Sequence, residues 1–177
     1  MRALFKLIVW LVGLALVVLI ASNLLLEPTY AVSSRVVIRA TPAKVWAKVG
    51  ALDQWPSWVK GIERLNVVKG GGQEVGSLAD THVYNGFQGW EITVQIVETR
   101  PEVRFGYQIL GGPQNGVQST IELKPSADGR STQVTWTESQ TPNGLWGNLL
   151  AAVMKSIVTM HHEESLNTLK FAIERTI

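Results

Sequence analysis

The sequence of 177 residues contains no cysteine and only three histidines. A chain without cysteine has no disulfide bonds, no thiolate metal sites and no cysteine nucleophile. Two common signatures are also missing. The glycine run at positions 70–72 is followed by Gln73 and Glu74, whereas a phosphate-binding loop continues with Gly-Lys-Ser/Thr. No Gly-x-Ser-x-Gly segment occurs, which excludes a hydrolase nucleophile elbow of that type.

An excess of charge is also lacking once the first 26 residues are set aside. The chain carries 16 basic and 14 acidic residues, and the only charged residues before position 27 are Arg2 and Lys6. Subtracting these two leaves 14 basic residues against 14 acidic ones. A neutral domain has no cationic surface to neutralise phosphates, so we expect no nucleic acid partner.

A long apolar run opens the chain. Residues 7–26 contain no charged side chain, and Ser22 and Asn23 are their only polar residues. As a helix of about 1.5 Å per residue, the run is about 30 Å long and matches the hydrocarbon core of a bilayer. We therefore expect an N-terminal transmembrane anchor over residues 1–26, with membrane contact through residues 7–26. The alternative is a cleaved signal peptide, although the apolar core of a signal is usually only about 7 to 15 residues long.

The charges around this run predict its orientation. Arg2 and Lys6 precede it, and Glu27 is the only charged residue between it and Arg35. Because positively charged flanks stay in the cytoplasm, the sequence predicts a single-pass membrane protein with a cytoplasmic N-terminus and an extracytoplasmic folded domain. A short tether over residues 27–32 would hold a domain of residues 33–177 close to the membrane.

Alternating apolar and polar residues then predict a sheet. A first strand is expected at residues 33–39, followed by a helix from Pro42 to Val49 and a short helical turn at 52–58. Six further strands are expected at residues 62–69, 76–84, 88–99, 103–109, 117–123 and 132–140. Short hairpin connections require antiparallel neighbours, so the predicted fold class is α+β with one antiparallel sheet.

The end of the chain, residues 142–177, is predicted to be one long helix that covers the sheet. An apolar stripe on the helical wheel predicts its core face, and the stripe consists of Trp146, Leu149, Leu150, Val153, Ile157, Met160 and Phe171. His161 and Glu164 interrupt this stripe, which favours a cavity under the helix. In the last turns the stripe shifts towards Leu166, Leu169 and Ile173.

Two segments resemble a known superfamily. The first contains Ala40, Pro42, Val45, Trp46, Trp55, Pro56 and Trp58, and the second is the run 164–170, with two leucines and a final lysine. These motifs resemble the START/Bet v1-like (SRPBCC) superfamily, particularly its bacterial polyketide cyclase/dehydrase and lipid-transport branch. The resemblance spans residues 33–177, which is essentially everything beyond the anchor.

The resemblance implies a helix-grip fold, in which a seven-stranded antiparallel sheet wraps around the C-terminal helix and leaves an apolar tunnel. Members of the superfamily bind lipids, sterols, polyketides or isoprenoid quinones, and a minority catalyse cyclisation or dehydration. The anchor favours a hydrophobic ligand that partitions into membranes.

Inward-facing positions supply the candidate ligand-binding residues. They are Trp58, His82, Tyr84, Trp90, Phe105, Tyr107, Trp136, Ile157, Met160, His161 and Glu164. For the tryptophans of the first segment, the alternative is a structural role in which they fix the helical segments to the sheet. For His161 and Glu164, the alternatives are exposure to solvent and a local ion pair.

No metal site and no cofactor are predicted. His161 and His162 are adjacent and point about 100° apart on a helix, so they do not chelate one ion together. His82, His161 and Glu164 can be drawn as a zinc set, but nothing in the sequence brings His82 to the helix.

Three functions remain open at this point. The first is membrane-anchored binding or transport of a hydrophobic small molecule, such as a lipid, an isoprenoid or a polyketide-like compound. The second is a cyclase or dehydratase that uses Glu138, Tyr107 or His161 for proton transfer, because a carboxylate that faces a cavity can act as a general base. Glu138 lies near the end of its strand, however, where side chains often reach solvent. The third is a non-catalytic interaction module of the cell envelope, in which Trp90, Phe105, Trp136 and Met160 fill the tunnel.

Overall fold

The computed structural model describes residues 2–26, 29–84, 86–142 and 146–175. Its first element is an apolar helix, α1, over Arg2–Leu25, of which Ser22 is the one buried residue. α1 is long and apolar enough to cross a membrane. A signal sequence has the same length and composition, so both alternatives from the sequence remain compatible with α1.

The domain that follows has the predicted order of a strand, two short helical segments, six strands and a long helix. The elements are β1 (Tyr30–Ile38), α2 (Pro42–Val49), a 3₁₀ helix (Leu52–Ser57), β2 (Ile62–Lys69), β3 (Leu78–Tyr84), β4 (Gly89–Arg100), β5 (Arg104–Leu110), β6 (Gln118–Pro125), β7 (Thr132–Gln140) and α3 (Gly147–Glu174). β1 begins within the predicted tether, whose residues 27 and 28 lie outside the described residues. α3 begins at Gly147, later than predicted, and residues 143–145 also lie outside the described part.

All seven strands form one antiparallel sheet in the order β1-β7-β6-β5-β4-β3-β2. Tyr30 pairs with Gln140 and Ile38 pairs with Thr132, so β1 lies against β7 over its whole length. The register places Tyr30 and the β3–β4 and β5–β6 connections at one end of the sheet, which we name the proximal end. The distal end holds Ile38 and the β2–β3, β4–β5 and β6–β7 connections. The predicted helix-grip architecture is confirmed.

An aromatic cluster fills the centre of the core between the sheet and the helices. Trp55 contacts Phe105 and Tyr107 edge to face, with ring centroids 5.7 and 4.8 Å apart. Trp58 contacts Trp136 in the same way at 5.7 Å. Such pairs add about 0.5–1.5 kcal/mol each beyond the burial of their area.

The same tryptophans fix the 3₁₀ helix to α2. The indole N–H of Trp55 donates to the Val49 carbonyl at 3.0 Å, and that of Trp58 donates to the Lys48 carbonyl at 3.2 Å. Trp55 and Trp58 therefore have the structural role that was the alternative to ligand binding.

The face of α3 that packs on the domain differs from the predicted one. Its buried residues are Gly147, Ala151, Val158, His162, Ser165, Leu166, Leu169 and Ile173. Most of the predicted stripe is exposed, namely Trp146, Leu150, Val153, Ile157, Met160 and Phe171. The prediction was wrong because the first half of α3 carries apolar residues on two opposite sides. The smaller residues Gly147 and Ala151 face inward there, while the predicted shift in the last turns is confirmed.

The C-terminal end of α3 is tied to the distal end of β1. Lys170 Nζ donates to the Val37 carbonyl at 2.6 Å, and the backbone N–H of Arg39 donates to Oε1 of Glu174 at 2.8 Å. Lys170 also pairs with Glu174 at 2.8 Å. These bonds fix the direction of α3 along β1.

The N-terminal end of α3 reaches beyond the sheet. Ala151 and Val158 pack in a small separate cluster with Tyr30 and Val32 at the start of β1. α3 has 28 residues and β1 has 9, which correspond to lengths of about 42 Å and about 30 Å. Since both elements end together at the distal end, the first turns of α3 project past the proximal end.

Candidate functional site

A buried histidine on α3 faces a carboxylate on β7. His162 is fully buried, and its Nε2 lies 3.2 Å from Oε2 of Glu138, whose side chain is only 12% exposed. The other carboxylate oxygen, Oε1, accepts a hydrogen bond from the Tyr30 hydroxyl at 3.1 Å. Three polar groups from β1, β7 and α3 thus meet in a mostly apolar interior.

The register of β1 and β7 positions two of these groups. Glu138 shares the inner face of β7 with Val134 and Trp136, as predicted, and pairs with Val32 of β1. Tyr30 lies two residues before Val32 and therefore points to the same side of the sheet. Its ring can then reach the carboxylate from the neighbouring strand.

The His162 ring stacks on the indole of Trp136. The two centroids are 4.0 Å apart and the planes are inclined by 12°. Trp136 Nε1 donates to Ser119 Oγ at 2.7 Å, and Ser119 in turn donates to the Thr137 carbonyl at 3.1 Å. This series of bonds fixes the indole, and the stacked indole fixes the plane of the imidazole.

The partner of His162 assigns its hydrogen-bonding pattern. A carboxylate accepts, so Nε2 carries the proton that lies towards Glu138. In the neutral ring Nδ1 is then an acceptor, and it is buried without a hydrogen-bond partner among the described residues. Trp90 Nε1, a donor on β4, is in the same situation. Leaving such an atom unpaired costs about 1–3 kcal/mol.

The two tyrosines near this pair stay protonated at neutral pH. Burial raises the pKa of Tyr30 far above its usual value, and the charge of Glu138 raises that pKa further. Burial, followed by the charge of Glu138, also raises the pKa of Tyr107, although Ser119 and Trp136 act in the opposite direction. Both hydroxyls therefore keep their protons, and that of Tyr30 donates to Glu138.

His161 lies beside this site and holds α3 to the connection into β2. Its Nε2 donates to the Lys60 carbonyl at 2.6 Å. Burial lowers the pKa of His161 below its usual range, even though the Lys60 carbonyl favours the protonated form. Glu164, three residues further along α3, is exposed and lies 3.8 Å from Lys60 Nζ. The local ion pair, which was one alternative for Glu164, is therefore present.

Several predicted ligand-binding residues come together in the interior. Trp58, Phe105, Tyr107 and Trp136 are all buried in the aromatic cluster. His161 contacts the edge of this cluster, with its ring 6.1 Å from that of Trp136. Trp90 is half-buried against the same core from β4.

Two predicted residues lie on the outer face of the sheet. Strand alternation turns Thr81 inward, so His82 and Tyr84 point outward. His82 lies 2.8 Å from Glu91 and 3.6 Å from Glu63 on that surface. The expectation that His82 and Tyr84 face the interior is wrong, because the inward positions of β3 are the alternate ones, such as Ala79 and Thr81.

Three predicted residues of α3 are exposed. Ile157, Met160 and Glu164 lie on the side of the helix opposite its buried face. Their expected inward position followed from the incorrect rotation that the sequence predicted for α3, and it is therefore wrong as well.

A hollow of about 550 Å³ lies on the outer face of the sheet and not beneath α3. Its lining includes Arg64, Asp80, Glu91 and Thr93. These side chains pair with one another, since Arg64 lies 3.3 Å from Glu91 and Thr93 donates to Asp80 at 2.9 Å. A polar hollow of internally paired side chains is not the predicted apolar tunnel.

The sequence matches a family described as polyketide cyclase / dehydrase and lipid transport, over residues 29–174. The match includes all seven strands and α3. The chain belongs to the polyketide cyclase/dehydrase and lipid transport family. This confirms the resemblance inferred from the two sequence segments.

Solved structures similar to this family member share its fold. The Zhui aromatase/cyclase from Streptomyces sp. R1128 has a TM-score of 0.70 at 15% identity, covering 83% of this chain and 94% of that one. A START superfamily protein from Mycobacterium smegmatis has a TM-score of 0.68 at 13% identity, with coverages of 84% and 99%. The XoxI protein from Bacillus cereus has a TM-score of 0.64 at 20% identity, with coverages of 81% and 95%. Comparison with curated proteins gives no match.

No group of three His, Asp or Glu side chains suited to a metal ion occurs in the described part of this polyketide cyclase/dehydrase family member. His82 and His161, which could be drawn into one zinc set, lie on opposite faces of the sheet.

The sequence prediction missed three residues of the site in this family member, which are Tyr30, Ser119 and His162. Tyr30 was assigned to the tether, and Ser119 is a small polar residue within an alternating strand. His162 carried a usable signal, because it lies four residues after Val158 and four before Leu166. Residues four positions apart lie on the same face of a helix, so this spacing places His162 on the buried face with Val158 and Leu166.

Proposed function

We propose that this chain is a membrane-anchored protein that binds a hydrophobic small molecule between the sheet and α3, with the polar end of the molecule at His162. The observation that carries the proposal is the buried pair of His162 and Glu138, in which Nδ1 has no partner among the described residues. A purely structural core gains nothing from such an atom, because its desolvation is not compensated. A hydroxyl or amide of a ligand would donate to Nδ1 and remove this cost.

A partly covered apolar surface supports the same proposal. Ile62, Leu65, Val83 and Trp90 on β2, β3 and β4 are half-buried at the margin of the core. The unpaired Trp90 Nε1 belongs to this region and is a second group for a polar atom of the ligand. An apolar lining with a few polar groups suits a lipid, an isoprenoid or a polyketide-like compound.

The anchor is the second part of the proposal. α1 is exposed over nearly its whole length, and Arg2 and Lys6 are its only charged residues. These features support a single pass with a cytoplasmic N-terminus and an extracytoplasmic domain. Residues up to 26 would form the anchor, and the folded domain would begin with β1.

Ligand binding is tested on the purified full chain in nanodiscs made of one synthetic phospholipid. Mass spectrometry of an organic extract then distinguishes any bound compound from the disc lipid. We expect a compound that copurifies with the native chain and is lost in His162→Phe, which keeps a flat ring against Trp136. The matched control, His82→Phe on the outer face, should retain it.

Uptake of a fluorescent fatty acid by the same discs gives a second readout. A native chain that carries no compound and takes up no more probe than empty discs would refute binding. That result would favour the interaction module.

Proton-transfer chemistry of the cyclase or dehydratase type is the second candidate. It is favoured by the contact of Glu138 with Nε2, which leaves Nδ1 of His162 as an oriented base, and by Tyr107 as a protonated donor. Glu138→Gln should then lower turnover of a polyketide-like substrate by about 100-fold or more while its affinity changes little. Equal losses of turnover and affinity would indicate binding alone.

A further inference from the structure

Three connections at the proximal end of the domain are free of charge. No Asp, Glu, Lys or Arg occurs at residues 84–90, 110–118 or 140–154, which include the β3–β4, β5–β6 and β7–α3 connections. The remaining connections at this end contain Glu27, which precedes β1 in the sequence, and Lys60, which precedes β2 and is paired with Glu164.

The distal end has the opposite character. Each of its three hairpin connections carries charge, and together these include Lys69, Glu74, Arg100, Glu102, Arg104, Lys124, Asp128 and Arg130. Along the chain the connections alternate between the two ends, so the uncharged connections are not neighbours in the sequence but meet at one end of the sheet. Charged loops face water, so the uncharged end is the one suited to a less polar environment.

The part of α3 that projects past the proximal end exposes large apolar side chains. Trp146, Leu150 and Val153 lie on one side of it, and Leu150 and Val153 are 47% and 51% exposed. Phe87, in the β3–β4 connection at the same end, is 96% exposed. Apolar side chains such as Val75 and Val103 are also exposed at the distal end, but they stand next to charged residues. Those at the proximal end lie in segments without charge, which is the character of a contact surface.

The first turn of α3 is attached to the last turn of α1. Asn148 Nδ2 donates to the carbonyls of Leu26 and Ser22, at 3.2 and 3.4 Å. If α1 crosses the bilayer, its last turn lies at the membrane surface, and the start of α3 must lie at the same level. The exposed apolar side of α3 is therefore continuous with the membrane-spanning segment.

We propose that the proximal end of the domain is a membrane-contact surface, with Trp146, Leu150, Val153 and Phe87 in the interfacial layer of a lipid bilayer. The partner is the lipid surface that surrounds α1. Tryptophan and other apolar side chains without neighbouring charge are the composition that this layer favours. The inference rests on α1 as a transmembrane anchor, which belongs to the proposed function, but it does not depend on ligand binding.

This orientation has a consequence for the partly covered inner surface of β2–β4. Trp90 and its partner Val83 lie at the proximal ends of β4 and β3, so this part of the margin would face the bilayer. A hydrophobic molecule would pass between membrane and domain without crossing water.

The absence of cysteine makes a direct test possible. Single variants Val153→Cys, Leu150→Cys and Phe87→Cys are made in the full chain, labelled with the environment-sensitive dye NBD and reconstituted into phosphatidylcholine/phosphatidylglycerol vesicles. The matched control is Val103→Cys, because Val103 is 55% exposed in the distal β4–β5 connection. We expect a blue shift of the dye at the three proximal positions and loss of its fluorescence with lipids spin-labelled near the headgroup. The label at position 103 should show neither effect.

Three outcomes would overturn the inference. Proximal labels that behave like the label at 103 would show that this end faces water. Proximal labels that are shielded from water but not quenched by spin-labelled lipid would indicate a second copy of the chain or another protein. A full chain recovered free of vesicles would remove the anchor on which the inference rests.

The result is separable from that of the ligand experiment. Quenched proximal labels on a chain that carries no extracted compound would keep the membrane contact and refute the binding function. A bound compound together with unquenched labels would keep the binding function and refute the membrane contact.

Discussion

The imidazole of His162 and the indole of Trp136 lie within 12° of parallel, 4.0 Å apart, and both rings are buried. A flat ring at position 162 can keep this contact, whereas a small side chain leaves a void. We expect His162→Ala to lower the free energy of unfolding by about 2–4 kcal/mol, because a cavity is added to the loss of the bond to Glu138. His162→Phe should cost less than half as much. Urea denaturation followed by tryptophan fluorescence measures both, and equal losses would mean that stacking contributes little.

Removal of the Tyr30 hydroxyl tests the other side of the same carboxylate. Tyr30→Phe deletes the donor to Oε1 of Glu138. A hydrogen bond to a charged group contributes about 1.5–3 kcal/mol, so we expect a loss of that order in urea denaturation. Tyr84→Phe is the control, because the Tyr84 hydroxyl bonds the Gly86 carbonyl at the exposed face. A change as small as that of the control would show that solvent solvates Glu138 instead.

The stability of the domain should fall when the pH drops below about 6.5, the usual pKa of histidine. Burial lowers the pKa of His161 in the folded chain, so between the two pKa values the unfolded state binds more protons than the folded state. Stability therefore rises with pH across this window. The contribution of His161 is fully present above the pKa of the unfolded state, and it is lost as the pH falls towards the pKa of the folded state.

The variant His161→Gln isolates this contribution, since its amide can still donate to the Lys60 carbonyl. We expect a shallower decline between pH 7 and pH 5 than in the native chain, as measured by urea midpoints at several pH values. Parallel curves for the two proteins would assign the decline to other groups.

The rotation of α3 is tested by two leucines of the same helix. Leu166 is 2% exposed, whereas Leu150 lies on the opposite, open side. Leu166→Ala should lower the free energy of unfolding by about 2–5 kcal/mol, and Leu150→Ala by no more than about 0.5 kcal/mol. The reverse order would restore the helix face predicted from the sequence.

Local sequence rules were sufficient for the order of the strands and for α2, although they placed His82 and Tyr84 of β3 on the wrong face. β2 and β7 begin and end where alternation predicts, and Pro42 marks the start of α2 because its fixed φ suits a first helical turn. Alternation also placed Tyr107, Trp136 and Glu138 on the inner face, since a strand offers only two sides. The aromatic part of the site could therefore be predicted, because the two-residue period of a strand leaves each side chain only two possible directions.

A helix allows more choices, and the larger error of the prediction occurred there. Leu150 and Val153 on one side of α3 compete with Ala151 and Val158 on the other, and side-chain size favours the wrong side. Close packing of Ala151 against β1 decides the rotation, but that contact is not encoded in the periodicity of α3. A rotation error of this kind also exchanges His161 for His162, and so the polar centre of the site was missed.

The unequal attachment of α3 determines how the domain can open. Lys170 and Glu174 fasten its C-terminal end to β1, while its N-terminal end is held mainly by a small cluster and by Asn148 against α1. A rod fixed at one end moves most at the other. For a helix of about 42 Å, a tilt of about 10° displaces the first turn by about 7 Å while the last turn stays in place. Such a tilt would separate the N-terminal half of α3 from Tyr30 and Val32 of β1 and shift the contact of α3 with α1 at the same time. Opening of the domain at this end and the position of the anchor would therefore be mechanically coupled.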